Sequence, residues 1–225
     1  MKHLLLLGGH GAIGSAIKTI FEDAGYTVTA PSSRELDLAD SAAVSAYMEQ
    51  FTQPVEAVIF CAGHNDPAEV GTLTLEEIQK TLQINTLSVA QIAARLRPHF
   101  EQQKRSYILA VSSLYGTISR EGRAAYAMSK HALNGLIQTL ALELGPHGVL
   151  CNTLSPGFVL TPLTQKNNTP EMISALERKI PLGRLATAQD IAQIAFFLCS
   201  EQNQYLTGQD IVVDGGFMAG GFQHV

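Results

Sequence analysis

Residues 4–21 read LLLLGGHGAIGSAIKTIF, and this run decides the architecture. Four consecutive leucines show neither helical nor alternating periodicity, the pattern of a strand covered on both faces. Gly8, Gly11 and Gly14 then stand in G-x-x-G-x-x-G order, while Gly9, Gly11 and Gly14 also satisfy G-x-G-x-x-G. After them the apolar positions recur at helical spacing. A strand, a glycine turn and a helix in direct succession predict a dinucleotide site, because a pyrophosphate must reach bare backbone amides at the positive end of the helix. Gly8, Gly9, His10, Gly11, Ala12, Ile13 and Gly14 are the expected contacts of that turn.

Outward from this unit, short apolar runs alternate with amphipathic stretches. Strands are predicted at 3–7, 26–30, 55–61, 106–111, 149–154 and 210–213, with a very short extended piece near Leu36. Helices are predicted at 12–24, 41–51, 75–103 with a break, 123–145, 170–179 and 188–200. The alternation implies crossover units and hence an α/β fold, a Rossmann-type doubly wound parallel sheet. No linker, repeat or low-complexity segment interrupts it, so residues 1–225 are expected to form one domain.

Composition narrows the class. The 225 residues are 46% hydrophobic and 16% charged, which suits a compact globule. A net charge of −5 and a pI near 5.8 argue against a nucleic-acid or anionic-membrane surface. Cys61, Cys151 and Cys199 lie in apolar runs without metal-site spacing, as in a reduced cytoplasmic protein. The apolar stretch after the N-terminus is too short for a signal peptide. No segment approaches the roughly 20 apolar residues of a membrane span.

The end of the second strand, YTVTAPSSRELDLAD at 26–40, bears on which dinucleotide binds. An NAD site places an acidic residue there for the ribose 2′-hydroxyl. Here Ser32, Ser33 and Arg34 come first and Glu35 follows late. An arginine on a 2′-phosphate contributes about 1.5–3 kcal/mol, so NADP is the expected cofactor and NAD the alternative. His10 could add a further donor.

Two downstream motifs carry chemistry. YILAVSSLYG (107–116) runs a strand into Ser112 and Ser113, and RAAYAMSKHAL (123–133) sets Tyr126 and Lys130 four residues apart. Residues i and i+4 share a helix face. A free tyrosine titrates near 10, and a useful general acid or base titrates nearer neutrality. An ammonium about 4 Å away supplies roughly the 4 kcal/mol needed to lower it by three units. Lys130 is therefore expected to depress the Tyr126 pKa.

With the glycine turn, these motifs resemble the short-chain dehydrogenase/reductase family. Its serine stands thirteen residues before the tyrosine of Y-x-x-x-K, which selects Ser113 rather than Ser112. CAGHN (61–65) resembles the family's N-x-A-G turn and offers Cys61, Ala62 and Gly63. LQINTLS supplies Asn85 where the family has its helical asparagine. CNTLSPGFVLTP resembles the segment that meets the nicotinamide, through Pro156, Gly157, Val159 and Thr161. Asp37 and Leu38 fall where the family contacts adenine. The chain departs from the pattern by lacking the helix after the second strand, for which PSSRELDLAD is too short. Its glycine spacing is that of the family's extended branch.

The resemblance implies reversible hydride transfer between NADP(H) and a small-molecule carbonyl/alcohol pair. Ser113 would bind the substrate oxygen, Tyr126 exchange the proton, Lys130 also hold the ribose hydroxyls, and Asn85 position a water. Residues 158–180 are expected to form a lid, and His64, Leu114, Tyr115, Phe158 and Leu160 the walls for a mostly apolar substrate. No metal is expected, since His10 and His64 lack ligand spacing. The resemblance further implies a homotetramer or homodimer pairing residues 87–103 and 123–145. A glycine-rich tail with Phe222 either docks on a neighbour or frays. The competing readings are a sugar-nucleotide epimerase or dehydratase, for which 225 residues leave little room, and a non-catalytic NADP(H) sensor, which has no use for a proton donor.

Overall fold

A computed structural model describes residues 2–100 and 103–220. Six strands, β1 (His3–Leu7), β2 (Thr27–Thr29), β3 (Ala57–Phe60), β4 (Ser106–Val111), β5 (Val149–Pro156) and β6 (Asp210–Val213), form one sheet in the order β2-β1-β3-β4-β5-β6. Every neighbouring pair is parallel. All positions of β1, β3 and β4 are buried, which explains why their sequences are apolar without alternation.

The period of two still sorts side chains between the faces. Leu5, Leu7, Val58 and Phe60 point to one core, packed by α2 (Ser41–Gln50), α4 (Ser88–Phe100) and α5 (Ala124–Leu144). Leu4, Leu6, Ala57 and Ile59 point to the other, packed by α1 (Ala12–Asp23) and α8 (Ala188–Leu198). In this second core Phe21 of α1 meets Tyr26 edge-on at 4.9 Å and Phe196 of α8 at 5.1 Å.

The expected extended piece near Leu36 is a turn instead. The amides of Glu35 and Leu36 both donate to the Ser32 carbonyl, and Leu36 inserts into the first core beside Val44 and Met48. Residues 30–40 contain no helix, as their length requires. Asp40 then caps α2 through the amides of Ala42 and Ala43, so β2 is left as an edge strand.

The long helical stretch breaks where an extra residue enters it. α3 (Leu75–Leu82) passes into a π turn (Gln83–Leu87) and then into α4. Such turns rotate one side chain out of helical register, and here the π turn contains the buried Asn85. The expected end of this stretch reaches residues outside those described, as does Phe222 in the tail.

Within 158–180 the sequence signalled one helix, and the structure has two. α6 (Pro162–Asn167) is capped by Thr161 and α7 (Pro170–Glu177) by Thr169, each with proline in the first turn. Among the described residues no helix is long and apolar enough to cross a membrane.

Truncating Phe21 would remove both edge contacts and leave a cavity between α1, β2 and α8. Phe21→Ala should lower the unfolding free energy by about 3–5 kcal/mol in a urea titration; a loss below 1 kcal/mol would mean the α1–α8 layer collapses around the gap.

Candidate active site

The carboxyl ends of the parallel strands build the site, as they do in open α/β sheets. β1 ends in Gly8, whose φ of +88° few other residues adopt. A Cβ there would strike the Ala62 backbone beyond β3, and one on Gly14 would strike the Gly8 carbonyl oxygen. These two absences let the first helix turn press against the ends of β1 and β3. Gly9 has another task, since a Cβ on it would meet the Ala30 side chain at 2.8 Å. Gly9 packs against the second strand and does not line the cleft.

That cleft is a cavity of about 870 Å³. Gly8, His10, Gly11, Ala12, Ile13 and Gly14 line one part of it, with Cys61, Ala62 and Gly63 beside them. Ser113, Tyr126, Lys130, Pro156, Gly157, Val159 and Thr161 line it too. A second cavity of about 410 Å³ opens from it, sharing Ser113, Tyr115, Arg120, Pro156, Gly157, Phe158 and Leu176. The glycine turn and the Tyr126–Lys130 pair therefore face a common space, as the motif reading requires. Ser32, Ser33, Arg34, Asp37 and Leu38 do not line it.

The second-strand turn is nevertheless close to the glycine turn. The Glu35 carboxylate accepts from the Ser32 amide and hydroxyl, both at 2.8 Å. These bonds hold its carboxyl below the usual range, and the His10 side chain lowers it further. Arg34 and Ser33 are exposed on this turn. Asp37 accepts from the Ala39 amide, and the Leu38 carbonyl accepts from Gln83.

Lys130 is 3% exposed, and its Nζ donates to the Val111 carbonyl at 2.8 Å. Burial pushes its pKa down to about 8. Its Nζ lies 5.6 Å from the centre of the Tyr126 ring. The expected depression of the tyrosine is absent: burial raises the Tyr126 pKa, against lowering by a side-chain hydrogen bond with Ser113 and by the Arg123 charge. A buried phenol is costly to ionise, and an ammonium engaged with a carbonyl beneath it does not offset that cost. Cys61 is likewise pushed up, to about 12, by burial.

Ser113 also accepts from the Tyr115 amide at 3.2 Å, while the buried Ser112 hydroxyl has no hydrogen-bond partner among the described residues. Tyr115 meets the Tyr126 ring edge-on at 6.2 Å. Asn85, 1% exposed, does not reach the cavity. Its Oδ1 accepts from the His64 amide at 2.7 Å, and its Nδ2 donates to the His64 carbonyl and the Ser129 hydroxyl, each at 2.9 Å. Ser129 in turn donates to the Tyr126 carbonyl at 2.7 Å. The π turn is thus joined to α5 through Ser129, a residue inside YAMSK that no motif singles out.

His64 Nε2 stands 3.5 Å from a Glu77 carboxylate oxygen, with exposed Asp66 nearby, so that ligand-type atoms of all three fall within 4.8 Å of one another. Linear spacing had not suggested this approach. It is accounted for as a half-exposed histidine–carboxylate contact.

The chain's relatives fit this geometry. A family model described as enoyl-(acyl carrier protein) reductase matches residues 12–218. (3R)-3-Hydroxyacyl-CoA dehydrogenase from Homo sapiens is 34% identical over 190 residues, covering 81% of this chain and 71% of the relative. 3-Oxoacyl-[acyl-carrier-protein] reductase from Thermotoga maritima is 29% identical over 241 residues, covering 96% and 98%. A proposed NAD(P)-dependent gluconate 5-dehydrogenase from Beutenbergia cavernae, solved with bound NADP, superposes with a TM-score of 0.91 at 27% identity over 97% of both chains. 4-Hydroxyisoleucine dehydrogenase complexed with NADH gives 0.89 at 25% identity, over 98% of this chain and all of that one. Likeness over this much of the chain, in sequence and backbone alike, makes it a member of the short-chain dehydrogenase/reductase family, oxidoreductases that work with a nicotinamide cofactor.

Proposed function

We propose that this protein is an NADP(H)-dependent enzyme interconverting a carbonyl and a secondary alcohol, with Tyr126 as the general acid and base. The supporting observation is the single cleft shared by the glycine turn, Ser113, Tyr126 and Lys130. A bound nicotinamide supplies or takes the hydride. Ser113 hydrogen-bonds the substrate oxygen on which charge develops, and Tyr126 delivers its proton to that oxygen. The raised pKa of the phenol suits reduction, because the proton donor is fully loaded at neutral pH. Lys130 gives one of its three donors to Val111, which leaves two for the ribose hydroxyls.

Asn85 acts through the chain rather than on substrate. It clamps both polar groups of the His64 backbone next to Gly63, and its proposed water would sit where this clamp meets Lys130. Residues 158–180 serve as the lid, hinged at Gly157 and the Thr161 cap. The protein is one domain that forms a homo-oligomer, for which exposed Leu87 and Leu142 at the two long helices are suited.

NADP is the preferred cofactor because Glu35 is occupied by Ser32 while Arg34 is exposed on the same turn, without a side-chain partner among the described residues. NADPH should bind at least tenfold tighter than NADH, and Arg34→Ala should narrow that gap; equal affinities in a fluorescence titration would remove the preference.

Oxidation of NADPH against a panel of ketones and aldehydes tests the activity itself. Tyr126→Phe should cut reduction by roughly 10²–10⁴-fold while NADPH affinity stays within a few-fold. Retained turnover in that variant would overturn the acid–base assignment.

The lowered Lys130 pKa gives opposite pH signatures for activity and stability. Above about 8 the free enzyme loses the ammonium that holds the cofactor, so kcat/KM for reduction should fall through that region. The unfolded chain keeps its lysine protonated up to about 10.4 and so binds more protons over the same interval. Stability should therefore rise as activity declines. A kcat/KM profile level through this range in the wild type would exclude Lys130 as the titrating group.

A further inference from the structure

Acidic residues outnumber basic ones in this chain, 20 to 15. The linings of the two cavities reverse that balance: they carry Arg120, Arg123, Lys130 and Lys179 and no aspartate or glutamate. Two of these cations have structural tasks. Lys130 donates to Val111, and Arg123 donates to Asn65 Oδ1 at 2.8 Å. Arg120 and Lys179 have no ion-pair or side-chain hydrogen-bond partner among the described residues. Arg184, by contrast, is gripped by both oxygens of Asp190 at 2.7 and 3.1 Å.

The cofactor's glycine turn does not account for Lys179, and Arg120 lines both cavities. Lys179 lines only the smaller cavity, which contains none of the glycine-turn residues. A carboxylate beside the wall of this cavity is Asp214, whose Cα lies against Gly157. Asp214 is turned into its own loop, where its oxygens accept from the amides of Gly216 at 2.9 Å and Met218 at 2.7 Å. The remaining wall is largely apolar, from Leu114, Ile118, Phe158, Leu176 and Phe217. A pocket with a hydrogen-bonding serine, apolar walls and two cations free of carboxylates complements an amphiphilic anion.

We infer that the substrate of this pocket carries an oxygen anion, a carboxylate or a phosphate, bound by Arg120 and Lys179, with an apolar segment between that group and the reacting carbonyl. This deepens the carbonyl-reductase reading and rests on it, but its test does not require turnover. Hexanoate, hexyl phosphate and neutral hexanamide would be titrated calorimetrically into the full-length protein saturated with NADPH. At least one anion should bind tenfold or more tightly than the amide, with the tighter anion naming the group. The advantage should shrink at 0.5 M salt, where the Debye length falls to about 4 Å. Arg120→Gln and Lys179→Gln, made separately, should each reduce the anion-to-amide ratio several-fold, a comparison internal to each variant. Equal affinity for amide and anions in the wild type, or a ratio unmoved by both substitutions, would overturn the inference. Failure of the underlying activity shows elsewhere, as absent NADPH binding or undiminished turnover in Tyr126→Phe.

Discussion

One buried ammonium organises the site. Lys130 comes from α5, reaches the end of β4 and spends a hydrogen bond on the Val111 carbonyl. A charge desolvated to this degree without a carboxylate partner is expensive, and the lowered pKa is the sign of that expense. The arrangement persists because the charge faces a cavity rather than packed hydrocarbon. Several neighbours are fixed around it. A side chain on Gly63 would approach Lys130 Nζ at 3.8 Å and Asn85 Oδ1 at 3.7 Å, so the turn after β3, the π turn and α5 converge within one side chain's reach.

From that convergence the polar network follows. Asn85 needs the π turn to face inward, and its three hydrogen bonds hold His64 and Ser129. Thr86, the next residue, donates to the Ser129 carbonyl at 2.8 Å. Ser129 fastens back to the Tyr126 carbonyl. The phenol is therefore positioned through its backbone by groups that do not touch it, leaving its ring to meet Tyr115. Rigidity of this kind suits the role proposed for Tyr126, since a displacement of an ångström at a reacting atom is costly in rate.

What the sequence discloses and what it hides divide along the range of the interaction. The strands and most helices are legible because burial on two faces or one imposes a local period, as in HLLLL and in the α1 pattern. The glycine turn is legible because steric exclusion at Gly8 and Gly14 leaves only one residue type. The Tyr126–Lys130 pairing on one helix face follows from helical spacing alone. The sign of the tyrosine's pKa shift does not, because it depends on how deeply the phenol is buried and on which carbonyl captures the ammonium, and neither is a property of spacing. The turn at 32–36 is hidden for a similar reason: Leu36 reads as strand by composition, but Glu35 closes back on Ser32. The contact of His64 with Glu77 joins residues thirteen apart across a loop and a helix start, which no linear motif encodes.

The same distinction governs charge. Net charge is a sum over the sequence, and here it is negative; the field felt by a ligand is a sum over the few residues that line its cavity, and here it is positive. The two coexist because several carboxylates are already satisfied by the backbone or by a partner of their own: Asp214 by two amides, Asp190 by Arg184 and the Thr187 cap, Glu35 by Ser32. Carboxylates consumed by caps and turns do structural work without projecting into the cleft, and the uncompensated cations are left to set its potential. An acidic protein can in this way offer an anionic ligand a pocket whose sign is opposite to its own.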